Sequence, residues 1–319
     1  MKTPSNIAVL LPCHNEAAAI KNVIKAFQQS LPSAKIYVYD NCSTDDTAKI
    51  AKASGAIVCH EPQKGKGNVI RRMFADIDAD IYVLADGDLT YDANAAPKLI
   101  EKLISENLDM VVGTRIDNQQ SDIYRAGHRF GNSLFNRFVR FLFGNKFTDI
   151  LSGYRVFSKR FIKSFPAVSR GFDTEVELTI HSLELRLPVA EIATEYAARP
   201  EGSESKLRSY RDGIRILLRI LVMLKESRPL FFFGSIAGIF ALLAIGLAFP
   251  LLITYVKTGL VPRMPTAILS TGMMLIAVIS FTCGIVLDSV CRGRREKKYL
   301  RYLSHSSVSS ALSKNATPQ

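Results

Sequence analysis

The stretch "YVLADGDLTYD", Tyr82 to Asp92, runs from apolar residues straight into a knot of acid. At ~4 Å and a near-surface effective dielectric, each pair of like charges costs roughly 4 kcal/mol. A chain that ends a buried strand this way either leaves its carboxylates in water or keeps a place for a cation. Gly87 lets the backbone turn sharply, so Asp86 and Asp88 can approach one oxygen-seeking ion such as magnesium or manganese. Asp-Gly is also ordinary turn chemistry, so the surroundings must decide between the two readings.

Those surroundings repeat one rhythm up to Thr114. Apolar runs stand at Ile7–Pro12, Ile36–Asp40, Ala56–Cys59, Ile81–Asp86 and Met110–Thr114. Between most of them lie helical patterns, at Glu16–Gln29, Asp45–Ser54, Gly67–Ile77 and Ala95–Ser105. Continuous apolar strands alternating with helices predict an α/β fold, a mostly parallel sheet covered on both faces. Ligands of such sheets bind beyond the carboxyl ends of the strands. The polar clusters fall there: "PCHNE" after the first run, "DNCSTDDT" after the second, "DGDLTYD" after the fourth, "GTR" after the fifth.

Each cluster has a chemical reading and a plainer one. Asp40 can accept N–H bonds from a nucleobase edge, while Ser43 or Thr44 suits a helix N-cap. Glu16 can hydrogen-bond a ribose or base, or serve as a first-turn carboxylate favoured by the helix dipole. "QKGKGNVIRR" places Lys64 and Lys66 among glycines, but it lacks the P-loop spacing, and GxGxxG is absent too. ATPases, kinases and dinucleotide enzymes are therefore disfavoured, and Lys66 is expected in the wall of a nucleotide pocket.

From Asp122 to Phe147 arginines interleave with phenylalanines, the pattern of a basic amphipathic helix at a membrane interface or of a core-facing helix with a solvated basic side. Further on, Leu230–Val256 and Thr266–Leu287 carry no charge, and each is long enough to cross a hydrocarbon core of ~30 Å. They read as a hairpin of two transmembrane helices, at about 230–256 and 266–288. Arg215, Arg219, Lys225 and Arg228 precede it, and Arg292, Arg294, Arg295, Lys297, Lys298 and Arg301 follow it. The positive-inside rule then puts both termini and the N-terminal domain in the cytoplasm. Asp288 is expected at the interface beside Arg292. The expected organisation is a catalytic domain over 1–209, a juxtamembrane amphipathic helix over 210–229, the membrane pair within 230–290, and a tail over 291–319. That tail is basic at first and reads as disordered from Ser304.

Composition agrees. The chain has 319 residues, 48% of them apolar, and a formal net charge of +12. Such a balance suits an anionic partner. Five scattered cysteines without a CxxC pair imply neither a disulfide framework nor a zinc site. The N-terminus lacks the apolar segment of a signal peptide.

Taken in order, "LPCHNE", "YDNCSTDDT", "KGKGN", "ADGDLTYD", "TDILSGYRVFSKRF", "GFDTEVEL" and "YAARPEGSESKL" resemble a family-2 glycosyltransferase of GT-A fold. With the apolar hairpin, the resemblance is to the polyprenyl-phosphate sugar transferases, the dolichol-phosphate mannose synthase and bactoprenol glucosyltransferase type. It implies that Pro12, His14, Glu16 and Asp40 grip the nucleoside, and that Asp86 and Asp88 bind Mg2+ or Mn2+. It sets Asp149, Ser152, Gly153 and Arg155 on the acceptor side, and Arg199, Ser203, Ser205 and Lys206 in a basic loop near the phosphates. Two positions depart from the pattern: His14 stands where a tyrosine is usual, and Thr90 where close relatives carry a metal-binding glutamine.

The activity implied is inverting transfer of a hexose from a UDP- or GDP-sugar to a membrane polyprenyl phosphate. Arg129, Arg137, Arg155, Arg199 and Lys206 are candidates for the acceptor phosphate. Asp88, Arg155 and Glu175 are the candidate catalytic residues, Glu175 either as a base or as a structural partner. The partners expected are the nucleotide sugar, the lipid phosphate and the membrane, without nucleic acid and with a homo-oligomer left open. One alternative is transfer to a hydroxyl of a glycan or lipid-linked saccharide, with Glu175 or Glu177 as base. Another is a non-catalytic membrane scaffold. A processive synthase of the QxxRW type is disfavoured, because the chain has no tryptophan.

Overall fold

The computed structural model describes residues 6–116, 147–168, 174–197, 222 and 224–310. The chain divides into two compact units, Met1–Ser209 with Lys298–Gln319, and Tyr210–Lys297.

The first unit is built on a seven-stranded sheet. Within it, β1 (Ile7–Cys13) pairs in parallel with β2 (Lys35–Asp40) on one side and the central strand β4 (Ile81–Leu84) on the other. Beyond β2 lies β3 (Ile57–His60), also parallel. On the far side of β4 comes β6 (Arg155–Ser158), an antiparallel strand wedged between β4 and β5 (Met110–Ile116), and then β7 (Val189–Glu195), parallel to β5. The register aligns Cys13 with Asp40 and Leu84 with Arg155. The carboxyl ends of β1, β2 and β4 and the start of β6 therefore share one edge of the sheet. β4 is buried at all four positions, as a strand covered on both faces must be.

The helices cover the sheet with apolar stripes. Those of α1 (Ile20–Ser30) are Ile20, Val23, Ile24 and Phe27, and those of α4 (Ala96–Ser105) are Ala96, Leu99, Ile100 and Leu103. This spacing puts each set on one helix face, and each fully buried large apolar side chain contributes about 1.5–3 kcal/mol. The other helices of the sheet region are α2 (Thr47–Ala53), α3 (Lys66–Asp76), α5 (Lys159–Ser164) and α6 (Thr174–Glu184).

α1 begins four residues later than its sequence pattern suggests. Ala17–Ala19 is turn, and the loop before it is tied elsewhere in the fold: Glu16 N–H donates to Thr47 Oγ1 at 2.8 Å, and Ala17 N–H to Asp45 Oδ2 at 3.1 Å. The anticipated cap of α2 also differs. Ser43 Oγ accepts from Asn15 N–H at 2.9 Å, while Asp45 Oδ1 accepts from Thr47 N–H and Oγ1–H. Side-chain oxygens here sew two loops together instead of closing one helix.

The second unit contains α7 (Pro229–Thr258) and most of α8 (Met264–Leu303), two helices long and apolar enough to cross a membrane. α7 stops at Gly259, whose φ of 70° is left-handed and whose N–H reaches Tyr255 O at 2.8 Å. The two helices meet closely at Gly284, where an added Cβ would stand 3.2 Å from Phe233 Cβ. Arg292 pairs with Asp288 at 3.1 Å.

The end of α8 and the segment after it belong to the first unit. Tyr302 donates to the fully buried Asp109 Oδ2 at 2.8 Å, Arg160 pairs with the same carboxylate, and Lys298 pairs with Glu184 at 3.0 Å. Val308, in the stretch read from sequence as disordered tail, is buried in the core of the sheet unit. The basic stretch at 125–146 and the segment 210–221 lie outside the described residues.

Candidate active site

Three loops rise from the shared edge of β1, β2 and β4, and each contains a non-glycine residue in the left-handed region: Asn15 (φ 55°), Cys42 (φ 57°) and Leu89 (φ 63°). For a leucine this is a strained conformation that the surrounding contacts must enforce. The first two loops are tied by Thr44 N–H to Asn15 Oδ1 at 2.8 Å, besides the bonds already described. The third packs on the first at Gly87, where a Cβ would meet Cys13 Sγ at 2.5 Å. Only glycine fits that closure.

Four carboxylates act on Cys13 from nearby. Burial pushes its thiol well above the ordinary range, and Glu16, Asp40, Asp86 and Asp88 add to that in this order. Carboxylates far apart in sequence thus come into one neighbourhood at the end of β1. Asp40 is buried, its Oδ2 taking His60 Nδ1 at 3.3 Å and Ser43 N–H at 3.4 Å. Its Oδ1 has no partner among the described residues. A buried acceptor left open costs about 1–3 kcal/mol, which a bound N–H donor would recover.

Asp86 and Asp88 differ. Asp88 is buried, and Thr90 fixes it from both hydroxyl (2.6 Å) and amide (3.2 Å) onto Oδ1. The Thr90 hydroxyl is thus spent on orienting Asp88. Asp86 keeps 27% of its side chain exposed. Its Oδ1 lies 2.5 Å from Lys66 Nζ, and Lys66 Nζ lies 2.6 Å from Glu175 Oε1 on α6. Burial pulls the Lys66 ammonium down, but the Asp86 and Glu175 carboxylates outweigh it and hold the group well above the lysine range. Among the described residues no three His, Cys, Asp or Glu side chains gather closely enough to hold an ion unaided. Two neighbouring carboxylates, one of them partly exposed, fit a magnesium or manganese ion that brings phosphate oxygens as its remaining ligands.

Lys66 is held from behind. Gly65, with φ 127°, donates its N–H to Asn41 Oδ1 at 2.7 Å, and Asn41 Nδ2 donates to Glu61 O (2.9 Å) and Gln63 O (2.8 Å). Asn41 and Tyr91 are site-building residues that sequence reading passed over. Tyr91 Oη accepts from Gly153 N–H at 2.8 Å, and its ring packs on Tyr154 and Tyr196.

The acceptor-side residues turn inward. Asp149 forms a bidentate pair with Arg115 at 2.8 and 2.9 Å, and Ser152 donates to Gly113 O. Arg155 requires a correction. It is fully buried, and its guanidinium donates to Ser152 O (2.9 Å), Ile150 O (2.6 Å) and Thr179 Oγ1 (2.9 Å). Burial lowers its pKa to about 10, so it remains charged at neutral pH. With no exposed surface and its guanidinium bonded on three sides within the fold, Arg155 braces β6 against α6, an environment that argues against the phosphate-ligand and catalytic roles expected of it. Pro12, His14 and Glu16 sit half-buried at the end of β1 and in its loop. Arg129, Arg137, Arg199, Ser203 and Lys206 lie outside the described residues.

Comparison with known proteins agrees with this geometry. The model of glycosyl transferase family 2 matches residues 8–165. Glycosyltransferase AglJ of Haloferax volcanii is 33% identical over 301 residues, which is 93% of this chain and 97% of that one. The UDP-N-acetylglucosamine–dolichyl-phosphate N-acetylglucosaminyltransferase of Methanococcus voltae is 28% identical over 254 residues, covering 70% of this chain and 98% of that protein. Among solved structures, glucosyl-3-phosphoglycerate synthase of Mycobacterium tuberculosis, in complex with Mn2+, UDP and glucosyl-3-phosphoglycerate, superposes with a TM-score of 0.55 at 27% identity. That match covers 68% of this chain and 80% of the other. The sheet unit has the GT-A fold, and this chain is a member of glycosyl transferase family 2.

Proposed function

We propose that the protein transfers a hexose from a nucleotide-diphosphate sugar to a membrane polyprenyl phosphate with inversion at the anomeric carbon. The observation that carries this reading is the convergence of Asp40, Asp86 and Asp88 with the Lys66–Glu175 pair, in a chain whose two long helices are apolar enough for a bilayer.

The roles follow from the chemistry of each group. Asp40 Oδ1 accepts an N–H from the base, with Glu16 a second candidate for the nucleoside. UDP is the first donor to try, since the M. voltae relative is named for a UDP-sugar and the M. tuberculosis structure contains UDP. Lys66 brings positive charge to the diphosphate as the anomeric C–O bond breaks. A divalent ion held by Asp86 and Asp88 would offset the charge of that leaving group. The new bond forms from an acceptor phosphate oxygen to the anomeric carbon.

A phosphate monoester needs no base. Its second pKa is about 6, so it arrives largely as the dianion. A hydroxyl acceptor would need one, and Glu175 suits that role poorly because an ammonium sits 2.6 Å from its Oε1. The positive residues flanking the apolar helices support a cytoplasmic catalytic unit by the positive-inside rule. Arg129, Arg137, Arg199, Ser203 and Lys206 remain the candidates for the acceptor phosphate.

The test is transfer itself. The full chain in membranes receives a panel of labelled UDP- and GDP-sugars with polyprenyl phosphate and Mn2+. An acid-labile labelled lipid is the expected product. Label on saccharide alone would overturn the reading.

A further inference from the structure

Lys66 stands where a metal would be expected to act. Its Nζ lies 2.5 Å from Asp86 Oδ1 and 2.6 Å from Glu175 Oε1, with only 13% of its side chain exposed. The backbone behind it is fixed through Gly65 and Asn41, so the side chain alone is free to change partners. Gly153 lies against the other oxygen of Asp86: a Cβ there would stand 2.9 Å from Asp86 Oδ2. Asp88 meanwhile has Oδ1 engaged by Thr90.

We propose that Lys66 competes with the divalent ion for Asp86, so that the site takes up metal efficiently only together with a nucleoside diphosphate. The inference rests on the donor assignment given above. A lone divalent ion would have to displace the ammonium from Asp86 and then stand beside it. Two like charges a few ångströms apart in a partly buried site repel by several kcal/mol before screening, and an ammonium that is mostly buried is poorly solvated once it leaves its carboxylates. A diphosphate removes both obstacles. It supplies the ion's remaining ligands, and it offers Lys66 new anionic partners within a side-chain rotation. Glu175 is then a positioning residue: it keeps the ammonium at the site while its other partner changes. Coupling of this kind is reciprocal, so metal and diphosphate each strengthen the other's binding.

The experiment measures Mn2+ binding to the full chain in detergent by electron paramagnetic resonance, without nucleotide and with UDP. Wild-type protein is expected to bind Mn2+ weakly alone and strongly with UDP. Lys66→Gln removes the competitor, so Mn2+ alone should bind about tenfold tighter. The enhancement of Mn2+ binding by UDP should shrink by a similar factor. Unchanged or weaker binding of Mn2+ alone to a folded Lys66→Gln protein would overturn the proposal. If that variant does not fold, Lys66→Arg carries the test: the retained charge must keep Mn2+ alone weak, and tight binding would refute the competition. Failure of the donor assignment looks different, since wild-type protein would then bind neither UDP nor GDP at any Mn2+ concentration.

Discussion

Gly153 closes directly on Asp86: a Cβ built on the glycine would lie 2.9 Å from the carboxylate Oδ2 and 3.3 Å from Lys66 Nζ. The turn leading into the antiparallel strand β6 thus stands against the Asp86 carboxylate beyond the end of β4. A side chain at position 153 could be accommodated only by moving Asp86, whose carboxylate is partly exposed and can rotate away.

Gly153→Ala should therefore spare the fold and damage the site. The melting temperature is expected to stay within a few degrees of wild type, while kcat/KM for the donor falls at least about tenfold. Parallel thermal unfolding and steady-state kinetics check both halves.

Asp40→Asn replaces the open buried oxygen with an amide that can present its N–H side to the base. Loss of a charged hydrogen bond is worth about 1.5–3 kcal/mol, so the dissociation constant for UDP should rise by roughly ten- to a hundredfold. Titration calorimetry with UDP and Mn2+ measures it. An unchanged constant would remove Asp40 from base recognition.

Arg155→Met tests the corrected role. Removing a buried cation strands the carbonyls of Ile150 and Ser152 and the Thr179 hydroxyl. A loss of about 3 kcal/mol in stability is expected. Protein that stays folded should keep an ordinary KM for lipid phosphate. A selective rise in acceptor KM without loss of stability would restore the phosphate-ligand reading.

His181 on α6 gives a pH dependence. Burial, with a smaller push from Lys298, lowers its pKa to about 3, and it sits between Phe161 and Phe165 with Ser164 Oγ 3.0 Å away. The unfolded chain binds a proton near pH 6.5 that the folded chain refuses until about 3. This contribution to stability is therefore complete above pH 6.5 and declines as pH falls towards the folded value. Between pH 6.5 and 4 it amounts to about 3 kcal/mol. In His181→Phe the stability curve should be flatter over that interval, as thermal unfolding across pH would reveal.

The end of α8 offers a further test. Tyr302→Phe removes the hydrogen bond to the buried Asp109 carboxylate, and about 1–3 kcal/mol of stability should go with it. Deleting the chain from Ser304 onward, which also removes the buried Val308, should destabilise the sheet unit. A tail without structure would leave the melting temperature unchanged.

The sequence could be read furthest where chemistry is local. Runs such as Ile7–Pro12 and Ile81–Leu84 are apolar throughout, so their burial on both faces follows from composition, and the polar residues after them fall at the ligand edge. What stayed hidden depends on partners distant in the chain. β6 is only four residues of "RVFS", too short to reveal that it inserts between β4 and β5 in the opposite direction. Arg155 has the residue type of a phosphate ligand, and only the carbonyls and hydroxyl around its guanidinium show that it is a brace. Lys66 and Glu175 lie far apart in sequence, and no spacing rule joins them. The loop before α1 is tied to Thr47 and Asp45, partners far along the chain that no local pattern reveals.

The chemical nature of the acceptor is where the account is most exposed. Equal concentrations of polyprenyl phosphate and the corresponding free polyprenol should be offered together to the full chain with its labelled nucleotide sugar and Mn2+. The account predicts label on the phosphate-bearing lipid alone, since a dianionic oxygen needs no proton removed and a neutral alcohol does. Label on the alcohol at a comparable rate, or none on the phosphate, would contradict it.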